Sequence, residues 1–132
     1  MSSLWTGVYP ALTTNFHKDN SLDIDSFIKN LDFQIQSGIH GCVIAGSLGE
    51  ASTLTLDEKN ILLEAAINNF SKKLPIIMNI AEQSTSEAVK AAENAESLGA
   101  NGIMMLPPMR YFADSRETIE FYKSVCQSTS LP

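Results

Sequence analysis

The residues best suited to chemistry lie in one short stretch, Gly46-Ser47-Leu48-Gly49-Glu50, directly after the apolar run 42–45. A buried strand that ends in glycines, a hydroxyl and exposed amides can hold a small anion such as a carboxylate. The same glycines also suit a tight strand-to-helix turn that does no more than permit positive φ. Glu50 is read as orienting the 46–49 turn through backbone amides rather than as an acid. The remaining candidates are isolated. His17 follows the first apolar segment and could serve as a general base, although a lone loop histidine is more often solvated. His40 falls before the 42–45 run, at the opposite end of that strand, and reads as structural. Asn79 ends a later strand at the same end as Ser47, where it could contact substrate or cap a layer of side chains. Asp114, followed by Ser115 and Glu117, reads as a helix cap. No His, Cys, Asp and Glu grouping has metal-ligand spacing, so no metal is predicted.

Positioning these residues requires a scaffold, and the chain alternates strand and helix patterns throughout. Residues 7–14 read as a first strand ending in the paired Thr13 and Thr14, and 22–37 as a helix stopped by Gly38. The 42–45 strand follows, then a helix capped by Thr55 with Glu58 three residues on. That helix is predicted to turn Leu56, Asn60, Leu63, Ala66, Ile67 and Phe70 inward. Residues 74–80 form a third strand, with Pro75 acceptable at its start. Ser84 opens a helix with the narrow small-residue face Ala88, Ala91, Ala92 and Ala95, and Gly99 ends it. Residues 102–106 form a fourth strand stopped by Pro107-Pro108, and 115–127 a fourth helix with Ile119, Tyr122, Val125 and Cys126 inward. Leu131-Pro132 repeats Leu74-Pro75, as at the start of a fifth strand.

Strands and helices alternating at about 30-residue spacing imply a parallel sheet with right-handed crossovers. A dinucleotide-binding sheet would need G-x-G-x-x-G after its first strand, which is absent. Four βα units fit half of a (β/α)8 barrel, whose full form takes about 250 residues. The fold class is therefore α/β, with residues 1–132 as one half-barrel.

Composition narrows the partners. Of the 132 residues, 44% are apolar and 18% charged, ordinary for a globular domain, and the net charge is −6. An acidic chain whose nine Lys and Arg are scattered has no basic face for nucleic acid or an anionic membrane. No apolar stretch approaches the roughly 20 residues of a membrane span. Met1-Ser-Ser-Leu-Trp5 carries no leader pattern. Cys42 and Cys126 read as buried apolar thiols, which fits a reducing cytosol. A cytoplasmic location is predicted.

The 46–50 signature, with Gly7-Val-Tyr-Pro-Ala-Leu-Thr13 before it and the 102–108 strand after it, resembles the dihydrodipicolinate synthase / N-acetylneuraminate lyase family over essentially the whole chain. It matches that family's G-[ST]-[ST]-G-E motif at four of five positions. The resemblance implies an N-terminal half-barrel of a pyruvate- or α-keto-acid-dependent Schiff-base lyase or aldolase. It implies that Ser47, Leu48 and Gly49 bind the keto-acid carboxylate, that Ser47 also serves a hydroxyl proton relay, and that Thr13, Arg110 and Tyr111 belong to the substrate site. Leu48 can offer only its amide, and Met109 and Arg110 stand where dihydrodipicolinate synthases commonly carry a tyrosine pair. These departures point toward sugar acids or hydroxylated pyrroline carboxylates, with Arg110 suited by its planar fork to a second carboxylate. An exposed surface arginine near an oligomer contact fits Arg110 equally.

By the same resemblance the imine-forming lysine and a strand-5 tyrosine fall beyond Pro132. Lys18, Lys29, Lys59, Lys72, Lys73, Lys90 and Lys123 all lie in predicted helices or loops, where a solvent-facing amine is not desolvated. The chain alone is therefore predicted to lack covalent catalysis. No cofactor is implied beyond an imine to that lysine. Expected partners are a small α-keto acid such as pyruvate and either further copies of the chain or a complementary half-barrel. The alternative is a truncated, non-catalytic half-barrel acting as an association or small-anion-binding module, since its edge strands are open.

Overall fold

A computed structural model describes residues 5–132. The leader-free start expected at residues 1–4 lies outside the described residues. Helix α1 spans Ile24–Gln36, α2 Leu56–Phe70, α3 Thr85–Ser97 and α4 Ser115–Ser128. Strands β1 (Cys42–Ile44), β2 (Ile76–Ile80) and β3 (Gly102–Met105) alternate with α2 to α4.

The three strands form a parallel sheet in the order β1-β2-β3, with Ile44 in register with Met78 and Asn79 with Met104. Strand order that advances without reversal, joined by right-handed crossovers, sends every helix to one face of the sheet. That is the winding of a barrel segment; a doubly wound sheet reverses its order and carries helices on both faces. Cys42, Ile44, Ile76 and Met78 accordingly pack with Phe27, Leu31, Leu62 and Leu63 in one core, while Ile80 joins Ala88, Ala91, Ala92, Phe121 and Val125 in a second. Residues one step out of phase point to the concave face. There Val43, Ile77 and Met104 line a groove of about 320 Å³ with Trp5 and Tyr9.

Local chemistry sets the helix ends. Asp23 caps α1 by accepting from the Ser26 amide at 2.9 Å, and Gly38 at φ 91 ends it in the left-handed region. Thr55–Glu58 and Asp114–Glu117 form complete capping boxes on α2 and α4. The small face expected on α3 is buried, Ala88, Ala91, Ala92 and Ala95 all at 3% exposure or less.

Several expectations are corrected. Residues 7–14 do not form a strand but join the sheet through one parallel bridge, Ala11 to Val43. The Leu12 amide donates to Val43 and the Val43 amide to Pro10, both at 2.9 Å. Pro10 has no N–H to extend the ladder, so three strands stand where four were expected. Ala45 leaves the strand at φ 55. On α2, Leu63, Ala66 and Phe70 are buried and Ile67 packs half-buried against the core, but Lys59 and Leu62 are buried as well, while Asn60 is only half-buried. On α4 the phase is set by Phe121 and Val125 against α3, leaving Ile119 55% exposed and Cys126 at the surface. Cys42 is buried, and burial pushes its thiol up to about 12, so it stays protonated. Pro132 lies beside β3, its carbonyl accepting from the Ile103 amide at 2.9 Å.

Candidate functional site

The 46–50 stretch sits at the C-terminal end of β1, where barrel-type enzymes carry their chemistry. Ser47–Gly49 winds into a single 3₁₀ turn, closed by the Gly49 amide on the Gly46 carbonyl at 2.9 Å. The Glu50 and Ala51 amides are also spent within the turn, on Ser47 and Gly46. The Ser47 and Leu48 amides have no partner among the described residues, as the first donors of any helical turn do not. Gly49 therefore brings two other things, a carbonyl and an absence of side chain. Its carbonyl accepts from the buried Thr14 hydroxyl at 2.7 Å, and a Cβ there would lie 2.7 Å from the Leu12 carbonyl oxygen.

Ser47 lines a cavity of about 320 Å³ together with Ser52, Lys59, Glu82, Gln83, Leu106 and Met109. Lys59 is only 4% exposed and donates to Glu82 at 2.6 Å. It is thus not on the solvent face expected for every lysine; the apolar neighbours Leu62, Leu63 and Ala66, three, four and seven residues on, carry it inward. That spacing was visible in the sequence.

The remaining candidates separate. Thr13 is exposed and its hydroxyl accepts from Asn30 Nδ2 at 3.3 Å, whereas Thr14 faces the turn. Alternation from the buried Leu12 assigns Thr14, not Thr13, to the inner side. Arg110 is exposed, and Tyr111, 78% exposed, lines a different cavity with Pro108, Phe112 and Phe121. From the loop after β3 it is Leu106 and Met109 that line the Ser47 cavity. Glu50 itself is left-handed at φ 61, and its exposed carboxylate bonds to none of the turn's amides. His17 is half-exposed, 3.7 Å from Asp23. His40 accepts from the Val8 amide at 3.0 Å and its ring fills the space beside Gly7. Among the described residues no group of three His, Cys, Asp or Glu could hold a metal, and no helix is long and apolar enough to cross a membrane.

Fold and site together define a singly wound, parallel βα domain with a candidate anion loop at the C-terminal end of its first strand. The sequence matches the dihydrodipicolinate synthetase family over residues 4–132, and the chain belongs to that family. It is 34% identical to a 4-hydroxy-tetrahydrodipicolinate synthase of Chelativorans sp. (strain BNC1), over 98% of this chain and 44% of that protein. It is 30% identical to a probable 2-dehydro-3-deoxy-D-pentonate aldolase of Escherichia coli (strain K12), over 97% of this chain and 42% of that one. Among solved structures it is similar to YagE, a prophage protein of the dihydrodipicolinic acid synthase family from E. coli K12 in complex with pyruvate. The TM-score there is 0.95 at 27% identity, covering 98% of this chain and 44% of that one. The chain thus spans a little under half the length of the relatives it matches. Those relatives include both a synthase and an aldolase, so the kind of enzyme the family supports is a lyase or aldolase.

Proposed function

We propose that this chain is the carboxylate-binding half of a pyruvate- or α-keto-acid-dependent Schiff-base lyase or aldolase. The observation that carries the reading is the 3₁₀ turn Ser47–Gly49, with two unspent amides and the Ser47 hydroxyl at a cavity mouth. A carboxylate in such a position gains charge-assisted hydrogen bonds from donors that need no reorganisation. Ser47 supplies the hydroxyl for binding and proton relay, and Leu48 supplies an amide. Thr14 holds the turn from below through Gly49. The imine forms on a lysine of the segment that in the relatives follows this one, and no other cofactor takes part. The YagE complex with pyruvate supports a keto acid as the ligand class. Arg110 meets a second carboxylate once substrate or a neighbouring copy draws its loop inward, and Tyr111 moves with it. The reaction runs in the cytoplasm.

Borohydride reduction in the presence of pyruvate tests this. The expected result is a reduced adduct on the complementary half when both halves are present, and weaker trapping with Ser47→Ala. An adduct on this chain alone, mapped to a lysine such as Lys59, would overturn the assignment of the lysine to the following segment. Pyruvate binding with no adduct in any context would support the small-anion module instead. A second reading, association through the open concave face, is favoured by the apolar groove there, where Trp5 and Met104 are 41% and 40% exposed. It predicts self-association of the chain in sedimentation equilibrium.

A further inference from the structure

The ladder between β1 and β2 stops one residue short of the candidate loop. Ile44 is in register with Met78, so Ala45 would next face Asn79, but Ala45 turns away at φ 55. A left-handed alanine is strained, and it persists only where its surroundings over-determine it. Its carbonyl, which on an extended path would point like that of Val43 toward the 7–14 segment, is brought round to accept from Asn79 Nδ2 on β2 at 2.8 Å. Asn79 is 2% exposed, and its Oδ1 is buried with no partner. The orientation of that amide is settled by chemistry, because turning it over would set two oxygens against each other. A buried side chain thus leaves its own acceptor unsatisfied while it holds one backbone carbonyl. Gly46 follows Ala45 directly, and the next residue is Ser47.

We propose that Asn79 is the positioning residue of the anion loop. Its hydrogen bond gives the Ala45 carbonyl a partner on β2, fixes the left-handed exit from β1, and so sets where the Ser47 and Leu48 amides point. The proposal rests on the reading of Ser47–Gly49 as the carboxylate site, and it concerns a side chain on the neighbouring strand that acts through the Ala45 carbonyl.

The test is amide NMR of the 132-residue chain, free and titrated with pyruvate, for wild type, Asn79→Leu, Asn79→Asp and Asn79→Leu combined with Ala45→Gly. Removing the donor is expected to shift the Ser47, Leu48 and Gly49 resonances of the free chain and weaken pyruvate binding about tenfold. Ala45→Gly, which makes positive φ accessible without the tether, is expected to restore most of the lost affinity. Loss of packing around Asn79 alone would not be rescued at Ala45. Unmoved loop resonances in folded Asn79→Leu or Asn79→Asp, or no rescue by Ala45→Gly, overturn the proposal. Should Asn79→Leu not fold, Asn79→Asp keeps the side-chain shape and reads the same resonances. Should wild type bind no pyruvate while the loop resonances still follow Asn79, the carboxylate reading falls and the positioning role stands.

Discussion

Two of the loops at the C-terminal edge of the sheet, those after β1 and β3, are built on opposite plans. The loop after β1 is tied from below by Thr14 to Gly49, from the side by Asn79 to Ala45, and at its far end by the Thr55–Glu58 box. Its polar atoms face a cavity with a buried ion pair in the wall. The loop after β3 is tied at its start by the Leu106 amide to Ile80 at 2.9 Å and at its end by the Asp114 cap, and between them presents Met109, Tyr111 and Phe112 at 67%, 78% and 105% exposure. A rigid constellation can bind a small anion without ordering anything further. An exposed aromatic loop gains its order from whatever covers it. The first loop is therefore the one suited to holding a small anion, and the second the one suited to being covered.

The largest effect expected from breaking this contrast lies at the buried pair. Lys59→Met or Glu82→Ala alone leaves one partner uncompensated and costs about 3–5 kcal/mol by urea denaturation. Lys59→Met with Glu82→Leu together comes out near neutral, since the pair's mutual attraction only offsets its desolvation. Equal losses in the single and double variants would show that the pair gives net stability rather than merely being expensive to split. Next in size is Gly49→Ala. The added methyl meets backbone, the Leu12 carbonyl at 2.7 Å, which cannot swing aside as a side chain would, so about 1–3 kcal/mol is lost. Thr14→Val follows at about 1–2 kcal/mol, from an unsatisfied Gly49 carbonyl. Thr13→Val should change stability by less than about 0.5 kcal/mol. In the loop after β3, Tyr111→Ala and Phe112→Ser also stay within about 0.5 kcal/mol. A larger loss there would mean that the loop is held more firmly than its exposure indicates.

What could be seen in the sequence follows the same division. Capping boxes, glycine stops and the small face of α3 depend on residues a few positions apart, and pattern reading reached them. The signature at 46–50 was legible for the same reason. The tie from Asn79 to Ala45 spans 34 positions and that from Thr14 to Gly49 spans 35, and neither has a local signal. On α2 the helix face was misjudged where a polar residue stood in the apolar stripe. Lys59 shares its face with Leu62, Leu63 and Ala66, and its charge hid a spacing that was otherwise plain. Pro10 hid the opposite error: an apolar run reads as a strand, yet a missing N–H in its middle leaves only a bridge.

The distinction between buried and exposed ties predicts the smallest effect at the C-terminal end of the described chain. Glu96 accepts hydrogen bonds from the Ser130 hydroxyl and, at 3.2 Å, from the Ser130 amide. The Ser130 and Thr129 hydroxyls hold its carboxyl below the usual range. A depressed pKa in the folded state means that the contribution is present above the unfolded value of about 4.3 and is lost as pH falls through the folded value. The Ser130 amide resonance should therefore titrate with its midpoint below about pH 4.3, and Glu96→Gln should abolish that titration. Because this carboxylate stays within reach of solvent, water replaces the lost bonds and global stability should barely respond. Ile103 should keep its bond to Pro132, since the Leu131 amide is tethered separately to the Thr129 hydroxyl at 3.1 Å. If acid instead releases Ile103 together with Ser130, the backbone beside β3 is held by this one exposed carboxylate. The β3 edge would then be as loosely ordered as the loop above it.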